Sequence, residues 1–471
     1  MPALTVSHAR PPRTQAPLDK DLRGHLERNA DVVTRITKPV SIRDIGALSA
    51  QSNGPIVFEN IKEYPDFRLC DILVKHRSLQ ARALGVPVGD YLRTLAFRLR
   101  QPPRGFVHVN TGPVKERRFV GSDVDLTILP VPIHSSHETE PYITAMNIVR
   151  DPKTGFYNSS HAGTTPHGRN MIQLSFQTPH TQIIVQKYKE MGKKEMPIAL
   201  CIGVHPAYEI MANYSGLHMD QWGELEMVGT IMDRDVEMVP CETIDLDVPA
   251  HAEIVIEAVV DLTVTHEFGG SVSPTMYYLP KEQKLPSARV TAITMRGDRP
   301  IYRNHQTTPE TDHQVLPRLC HEAVLYNRLE EIGLKVKDVR FPAWGGALSV
   351  ILQVEAPSDG FINDALLLTM GAPWGHTKMV VAVSPDVDLD DPGSVYHSIA
   401  TRVDPSKDVI IVDRTRGWQF DPSAQPLPDR SPGRLVGKMG IDATIKDRYN
   451  KADFERTWPL NWGKVFLKDF L

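Results

Sequence analysis

Residues able to do chemistry are scattered along this 471-residue sequence in five short stretches. In "FQTPHTQIIVQKYKEMG", Thr178 suits a helix N-cap and Pro179 the first helical position, which puts His180 in the first turn. The positive end of the helix dipole favours a neutral imidazole there, the form that ligates metals. In "HMDQWGELEMVGTIM", Asp220 can cap a helix carrying Glu224 and Glu226. Those two lie on different helix faces, so one of them turns inward. In "KTGFYNSSHAGTTPHGRN", Asn158, Ser159, Ser160 and His161 read as a polar, glycine-flanked loop that brings side chains and backbone amides to a ligand. "LLLTMGAPWGHTKMVVAVSPDVDL" sets Lys378 at the mouth of an apolar strand, where it needs an anion such as a cofactor phosphate or else snorkels to the edge. "VTHEFGGSVSPTMYY" places His266 and Glu267 between a strand-like run and two glycines, so a carboxylate can stand beside a closely approached planar ligand. Taken singly, each stretch also reads as an ordinary cap, loop or solvated side chain.

Several familiar chemistries are excluded. "GRLVGKM" lacks a residue between its glycines, and Met439 stands where a P-loop needs Ser or Thr. No G-x-G-x-x-G follows a strand, "HETEP" is not H-E-x-x-H, and no G-x-S-x-G elbow occurs. The formal charge of -4, from 53 basic and 57 acidic side chains, offers no field for nucleic acid or an anionic membrane. Cys70, Cys201, Cys241 and Cys320 are far apart, the pattern of reduced, buried thiols in a cytoplasmic protein. "MPALTVSHARPPRTQAP" has no apolar core, so residues 1–17 read as a disordered leader.

The elements that must position these residues change character along the chain. Residues 18–118 mix helical stretches ("SLQARALGV", "GDYLRTLAFRLR") with a short apolar run ("GPIVFEN"), the pattern of an α/β domain. Residues 119–300 turn to strand-like runs, "VDLTILPV", "YITAMNIVRD", "MPIALCIGV", "AEIVIEAVVDLTV" and "ARVTAITMRG", which predict a barrel or sandwich with inserted helices. Residues 301–446 begin with a helix, "VLPRLCHEAVLYNRLEEIG", and then alternate strands with helices as a second α/β domain. A short glycine-bearing stretch there, "VGKMGIDATIKD", carries Lys438, Asp442 and Lys446. The polar tail 447–471, with scattered aromatics, suits an oligomerisation arm.

The order of "YITAMNIVRDPKTGFYN", "MPIALCIGVHPAYEI", "VPCETIDLDVPAHAEIVIEA", "KMVVAVSPDVDL", "ATRVDPSKDVIIV" and "GKMGIDATIK" resembles the UbiD family of decarboxylases that use prenylated flavin mononucleotide. The resemblance implies an N-terminal α/β domain, a central split β-barrel like that of flavin reductases, and a C-terminal α/β domain that helps form dimers or hexamers. It implies a divalent metal, commonly Mn2+, with K+ nearby. The family's metal ligands fall on Asn158, His180 and Glu224, and its phosphate-contacting lysine on Lys378. Ser160 and His161 join these as expected cofactor contacts. The family pattern also has two glutamates five positions apart, coupled to an arginine. Glu267 matches the first, Val272 or Ser273 stands at the second, and the arginine place falls at Gly163, or near Ala162 if the stretch has a gap. His161, His167 and Arg169 are the nearest replacements by sequence, so the expected catalytic set is Glu267, His161 and Arg169. The implied activity is decarboxylation of an aromatic or α,β-unsaturated acid, with phthaloyl-CoA-like thioesters as an analogy for an atypical substrate. A separate flavin prenyltransferase would supply the cofactor. A prenylated-FMN-binding protein without decarboxylase activity is the other reading left open by the missing groups.

Overall fold

The computed structural model describes residues 18–136, 140–174, 176, 178–214, 223–268, 283–305, 311–346, 348–372, 374, 377–418, 421–426, 434–455 and 457–470, with only the backbone at 162, 267, 268, 283 and 284. The expected leader 1–17 and the cap Asp220 lie outside the described residues.

The N-terminal region contains α1 (Leu22–Arg28), β1 (Thr34–Ile36), α2 (Ile45–Ala50), β2 (Ile56–Phe58), β3 (Arg68–Asp71), α3 (Arg77–Leu84) and α4 (Tyr91–Arg98). "SLQARALGV" becomes α3 and stops at Gly85, whose left-handed backbone (φ 62°) only glycine adopts at little cost.

The central region follows as β4 (Phe106–His108), β5 (Arg117–Val120), β6 (Ile143–Arg150), β7 (Tyr157–His167), β8 (Met171–Leu174), α5 (Pro179–Glu190), β9 (Glu195–Ile202), α6 (Pro206–Met211), α7 (Glu224–Met232), β10 (Val236–Pro240), β11 (Asp247–Pro249), β12 (Ile254–Phe268), β13 (Gln283–Met295) and β14 (Ile301–Arg303). Antiparallel pairing runs β12-β9-β6-β7-β8-β13, and β12 pairs β13 to close a six-stranded barrel, with β5 laid on β13. This is the split barrel that the resemblance implies. Its wall separates two apolar cores with the two-residue period of a strand. On β9, Met196, Ile198, Leu200 and Ile202 enter one core, and Ala199 and Cys201 the other. Both faces are buried, so β6 and β9 read as continuous apolar runs.

Two stretches depart from the sequence expectations. "VDLTILPV" forms a single 3-10 turn, Leu126–Ile128, capped by Asp125, whose side chain accepts from Thr127 N. The supposed loop around Asn158 is strand: β7 pairs with β6 from Tyr157 to Thr164 and with β8 from Thr164 to His167. The backbone amides expected to face a ligand are largely committed to the barrel.

The C-terminal region contains α8 (Asp312–Val315), α9 (Leu319–Glu331), β15 (Lys335–Arg340), β16 (Ser349–Glu355), α10 (Asp359–Met370), β17 (Met379–Val383), α11 (Pro392–Arg402), β18 (Val409–Gly417), β19 (Gln425–Pro426) and β20 (Arg434–Ala443). The helix expected from "VLPRLCHEAVLYNRLEEIG" is broken by a 3-10 turn at Leu316–Arg318, where Pro317 cannot donate to a helical ladder. Its sheet order is β15-β16-β17-β20-β18, with β16, β17 and β20 parallel. β14, just past residue 300, returns to pair with β3, so the N-terminal sheet reads β1-β2-β3-β14. That crossing carries residues 301–305 back between the barrel and the N-terminal region.

Candidate active site

β7, α5 and α7 bring together three residues far apart in sequence. Asn158 on β7 is 1% exposed and donates from Nδ2 to Thr181 Oγ1 on α5 at 3.1 Å, which leaves its carbonyl oxygen for another partner. α5 starts at Pro179 with Thr178 as N-cap residue, so His180 lies in the first turn. His180 Nδ1 is 3.2 Å from Glu224 Oε1, and the other oxygen of Glu224 accepts Ser159 N–H at 3.0 Å. The two acids at the start of α7 divide as their spacing requires: Glu224 is buried inward, and Glu226 turns back to accept Gly223 N–H at 2.9 Å.

Gly223 is required at that helix start. A Cβ there would lie 2.1 Å from Tyr157 O, so the close approach of α7 to β7 that delivers Glu224 exists only without a side chain. Among the described residues, Asn158, His180 and Glu224 offer oxygen, nitrogen and oxygen donors, a set that fits a hard divalent cation sharing phosphate oxygens. Among the described residues, the buried Ser159 Oγ has no hydrogen-bond partner.

Residues that share a cross-strand pair share a face. Asn158 opposes Val149, whereas His161 opposes Met146 and Gly163 opposes Thr144, so His161 and Gly163 project from the opposite side of β7. At Gly163 a Cβ would lie 1.5 Å from Tyr142 Oη and 1.8 Å from Cζ. The phenol of Tyr142 therefore fills the space where an arginine at 163 would begin.

His161 belongs to a buried polar group that sequence reading did not foresee. Its Nε2 is 3.2 Å from His305 Nε2, which is 3.2 Å from Glu209 Oε1 on α6. His313 stands beside both rings, with centroids 6.1 and 6.2 Å away. Arg303 binds Glu209 and Asp71, with Nε–Oε1 of 3.2 Å and Nη1–Oδ1 of 3.3 Å, and also Asp312. Asn304 joins Asp71 to His134. Burial, then neighbouring positive or potentially positive groups, hold His161 and His305 well below the ordinary imidazole range. Burial, reinforced by Asp312 against the pull of Arg303, pushes Asp71 up to about 6. The signal in the sequence was Glu209 itself, a carboxylate amid Tyr208, Ile210 and Met211 in a short apolar helix.

The remaining expected residues lie elsewhere. Arg169 is in the β7–β8 turn, largely exposed, 3.1 Å from Asp125, and does not join either group, because the turn carries it to the surface. His167 bonds Gln173 at 2.9 Å. Lys378 is one-third exposed and meets Asp421 at 2.9 Å and Ser423. The anion that a lysine at that strand mouth requires is thus supplied within the chain. Lys438 is buried and donates to Met370 O at 2.6 Å, with its ammonium pushed down to about 8 by burial and Arg416. Lys446 is likewise internal, 3.2 Å from Asp408 and 3.8 Å from Asp442. The side chain of Glu267 and residues 272 and 273 lie outside the described residues; the backbone at 267 pairs with Lys284 on the barrel wall.

Residues 106–309 match the 3-octaprenyl-4-hydroxybenzoate carboxy-lyase Rift-related domain of UbiD, and residues 314–443 match the 3-octaprenyl-4-hydroxybenzoate carboxy-lyase C-terminal domain. The chain belongs to the UbiD family. Anhydromevalonate phosphate decarboxylase from Methanosarcina mazei is 29% identical over 444 residues, covering 93% of this chain and 98% of that protein. The UbiD-class enzyme HmfF from Pelotomaculum thermopropionicum, in complex with FMN, superposes with a TM-score of 0.85 at 30% identity, over 96% of this chain and 100% of that one. An evolved dimeric form of HmfF in complex with prFMN gives 0.82 at 29% identity, over 96% of this chain and 100% of that one. This UbiD-family chain is accordingly a carboxy-lyase.

Proposed function

We propose that this protein removes the carboxyl group of an aromatic or α,β-unsaturated acid with prenylated FMN, held through a divalent ion, Mn2+ by preference, with K+ beside it. The observation that carries this reading is the convergence of His180 and Glu224 beside Asn158 on β7, three hard donors delivered by a helix start, a helix start and a strand. Ser160, on the same β7 face as Asn158, lines the same side and is 3.5 Å from Thr181 Oγ1. Lys378, partly exposed, exchanges Asp421 for a cofactor phosphate oxygen.

Prenylated FMN, when bound, supplies an electron sink for the carbon that loses its carboxyl group. The chain holds the acid against the flavin, excludes water and returns one proton to that carbon. Glu267 is assigned the proton. No guanidinium projects from position 163, which is glycine. Arg169 takes no part in this scheme, since it is paired with Asp125 at the surface.

A separate prenyltransferase is inferred to supply the cofactor. A homodimer or homohexamer is inferred from the exposed aromatic tail and from the dimeric form of the relative HmfF. The cytoplasm suits four cysteines that are all free.

The test is carbon dioxide release by the purified chain reconstituted with prenylated FMN and Mn2+. The panel holds aromatic acids, enoic acids, their CoA thioesters including phthaloyl-CoA, and anhydromevalonate phosphate, taken from the name of the M. mazei relative. Release from an aromatic or unsaturated acid supports the reading; flavin bound with no release from any of them overturns the substrate assignment.

A further inference from the structure

We infer that His161, His305 and Glu209 form a second metal site, one that takes a first-row divalent transition ion such as Zn2+, Fe2+ or Co2+. Their three ligand atoms lie within 4.8 Å of one another. Two imidazoles bound cis to one ion at about 2.1 Å leave their nitrogens about 3.0–3.4 Å apart and their ring centroids about 4.6–5.3 Å apart. The nitrogens of His161 and His305 are 3.2 Å apart and the centroids 4.3 Å apart, with the planes at 70°. A straight N–H···N bond of the same length would hold the centroids roughly 5.5 Å apart. The rings therefore do not meet head to head but fold towards one side of the line between their nitrogens, closer together than one ion requires, and small ring rotations bring both nitrogens onto it.

Hydrogen bonding leads to the same arrangement. His305 Nε2 has one in-plane valence, yet it faces both His161 Nε2 and Glu209 Oε1 at 3.2 Å. A single proton would have to be shared between the two, whereas a cation accepts all three lone pairs.

Charge balance gives a third, independent argument. Asp71, Glu209 and Asp312 are each 0–2% exposed and share Arg303 as their common cation. Three carboxylates against one guanidinium leave the group two charges negative in a low-dielectric interior, and a divalent ion on Glu209 neutralises it. Two imidazoles and one carboxylate form a mixed set preferred by Zn2+ and Fe2+, unlike the oxygen-rich cradle at Asn158. The ion would lie on the face of β7 that carries Gly163, one strand repeat or about 7 Å along, and would supply positive charge to a face with no arginine at that position.

The full-length protein, stripped with chelator, is saturated with Mn2+ and then titrated with Co2+, with total metal content and the visible ligand-field spectrum as readouts. Wild type is expected to bind two divalent ions per chain, with visible Co2+ bands from the imidazole site. His305→Ala and His161→Ala each lose those bands and one ion while retaining Mn2+. Glu224→Gln does the reverse, so failure at the Asn158 cradle is distinguishable from failure here. Thermal melts confirm that the variants fold, and anomalous diffraction at the cobalt edge places the ion. The inference is overturned if wild type shows no imidazole-type Co2+ bands, if His305→Ala leaves them unchanged in a folded protein, or if the anomalous peak lies elsewhere.

Discussion

At the scale of single residues, the cradle and the filled position on β7 make separate demands. Glu224→Gln keeps the acceptor for Ser159 N–H but removes the charge that faces a cation. Mn2+ affinity is expected to fall by at least roughly tenfold, with flavin retention falling alongside it and the melting temperature nearly unchanged, as read by metal analysis and flavin absorbance. An Mn2+ affinity equal to that of wild type would remove Glu224 from the cradle. Gly163→Ala puts a methyl group into the ring of Tyr142 and is expected to cost about 1–3 kcal/mol. Because both residues claim one space, Tyr142→Ala should cancel much of that loss, and a double-mutant cycle that is simply additive would contradict the packing. Glu267→Gln keeps shape and removes the titrating proton, so turnover of the true substrate is expected to drop by roughly 100-fold or more with flavin still bound. Near-normal turnover would move the proton to another donor.

Among elements, the start of α7 is the most exacting. Gly223→Ala would drive a Cβ into Tyr157 O, a backbone atom held in the β6–β7 ladder that cannot swing aside like a flexible side chain. α7 must then back away from β7 and carry Glu224 with it. The expected outcome is a loss of about 1–3 kcal/mol with a parallel loss of bound Mn2+, measured by denaturation and metal content. A variant that loses neither would mean that α7 has another way to seat. α5 illustrates the opposite case: Pro179 suits its first position by local chemistry alone and His180 falls in the first turn, while the Thr178 hydroxyl caps no backbone amide and donates to Thr181 Oγ1 at 2.8 Å.

For the molecule as a whole, buried histidines couple stability to pH. Burial holds His25 down at about 4, against an ordinary imidazole value of 6.5. As pH falls below 6.5 the unfolded chain takes up the proton first, so stability is full above that value and is lost progressively towards pH 4. The loss from this residue alone amounts to about 3 kcal/mol. His25→Gln should flatten that part of the curve of melting temperature against pH, and an unchanged slope would assign the loss to other groups. The C-terminal tail makes a prediction of its own. Trp458, Leu460, Trp462, Leu467 and Phe470 are 59–93% exposed, and the two indoles stack with centroids 5.7 Å apart. Such a run of apolar side chains is costly in water unless another surface covers it. Truncation after Phe454 should lower the solution mass by light scattering, and an unchanged mass would exclude the tail as an assembly arm.

What the sequence alone determined is the chemistry whose cause is local. The start of α5 agrees with Pro179 at the first helical position, the rule that only one of Glu224 and Glu226 turns inward follows from helical spacing, with Glu224 singled out by the family resemblance, and the buried strands β6 and β9 follow from largely apolar runs. The order of its six family stretches led to the barrel and to the carboxy-lyase assignment. What only the tertiary structure decided depends on chain segments that meet without any local signal. Whether "NSSH" is loop or strand was settled by the partners β6 and β8, since polar residues extend readily when their amides are taken up by neighbours. The convergence of His161, Glu209 and His305 required β14 to cross back beside β3 and α6 to stand against the barrel, separations of 48 and 96 residues between the participants that no periodicity reports. The filling of the space at Gly163 by Tyr142 was hidden for the same reason: a glycine shows that a side chain is absent, and only packing shows which neighbour takes its place.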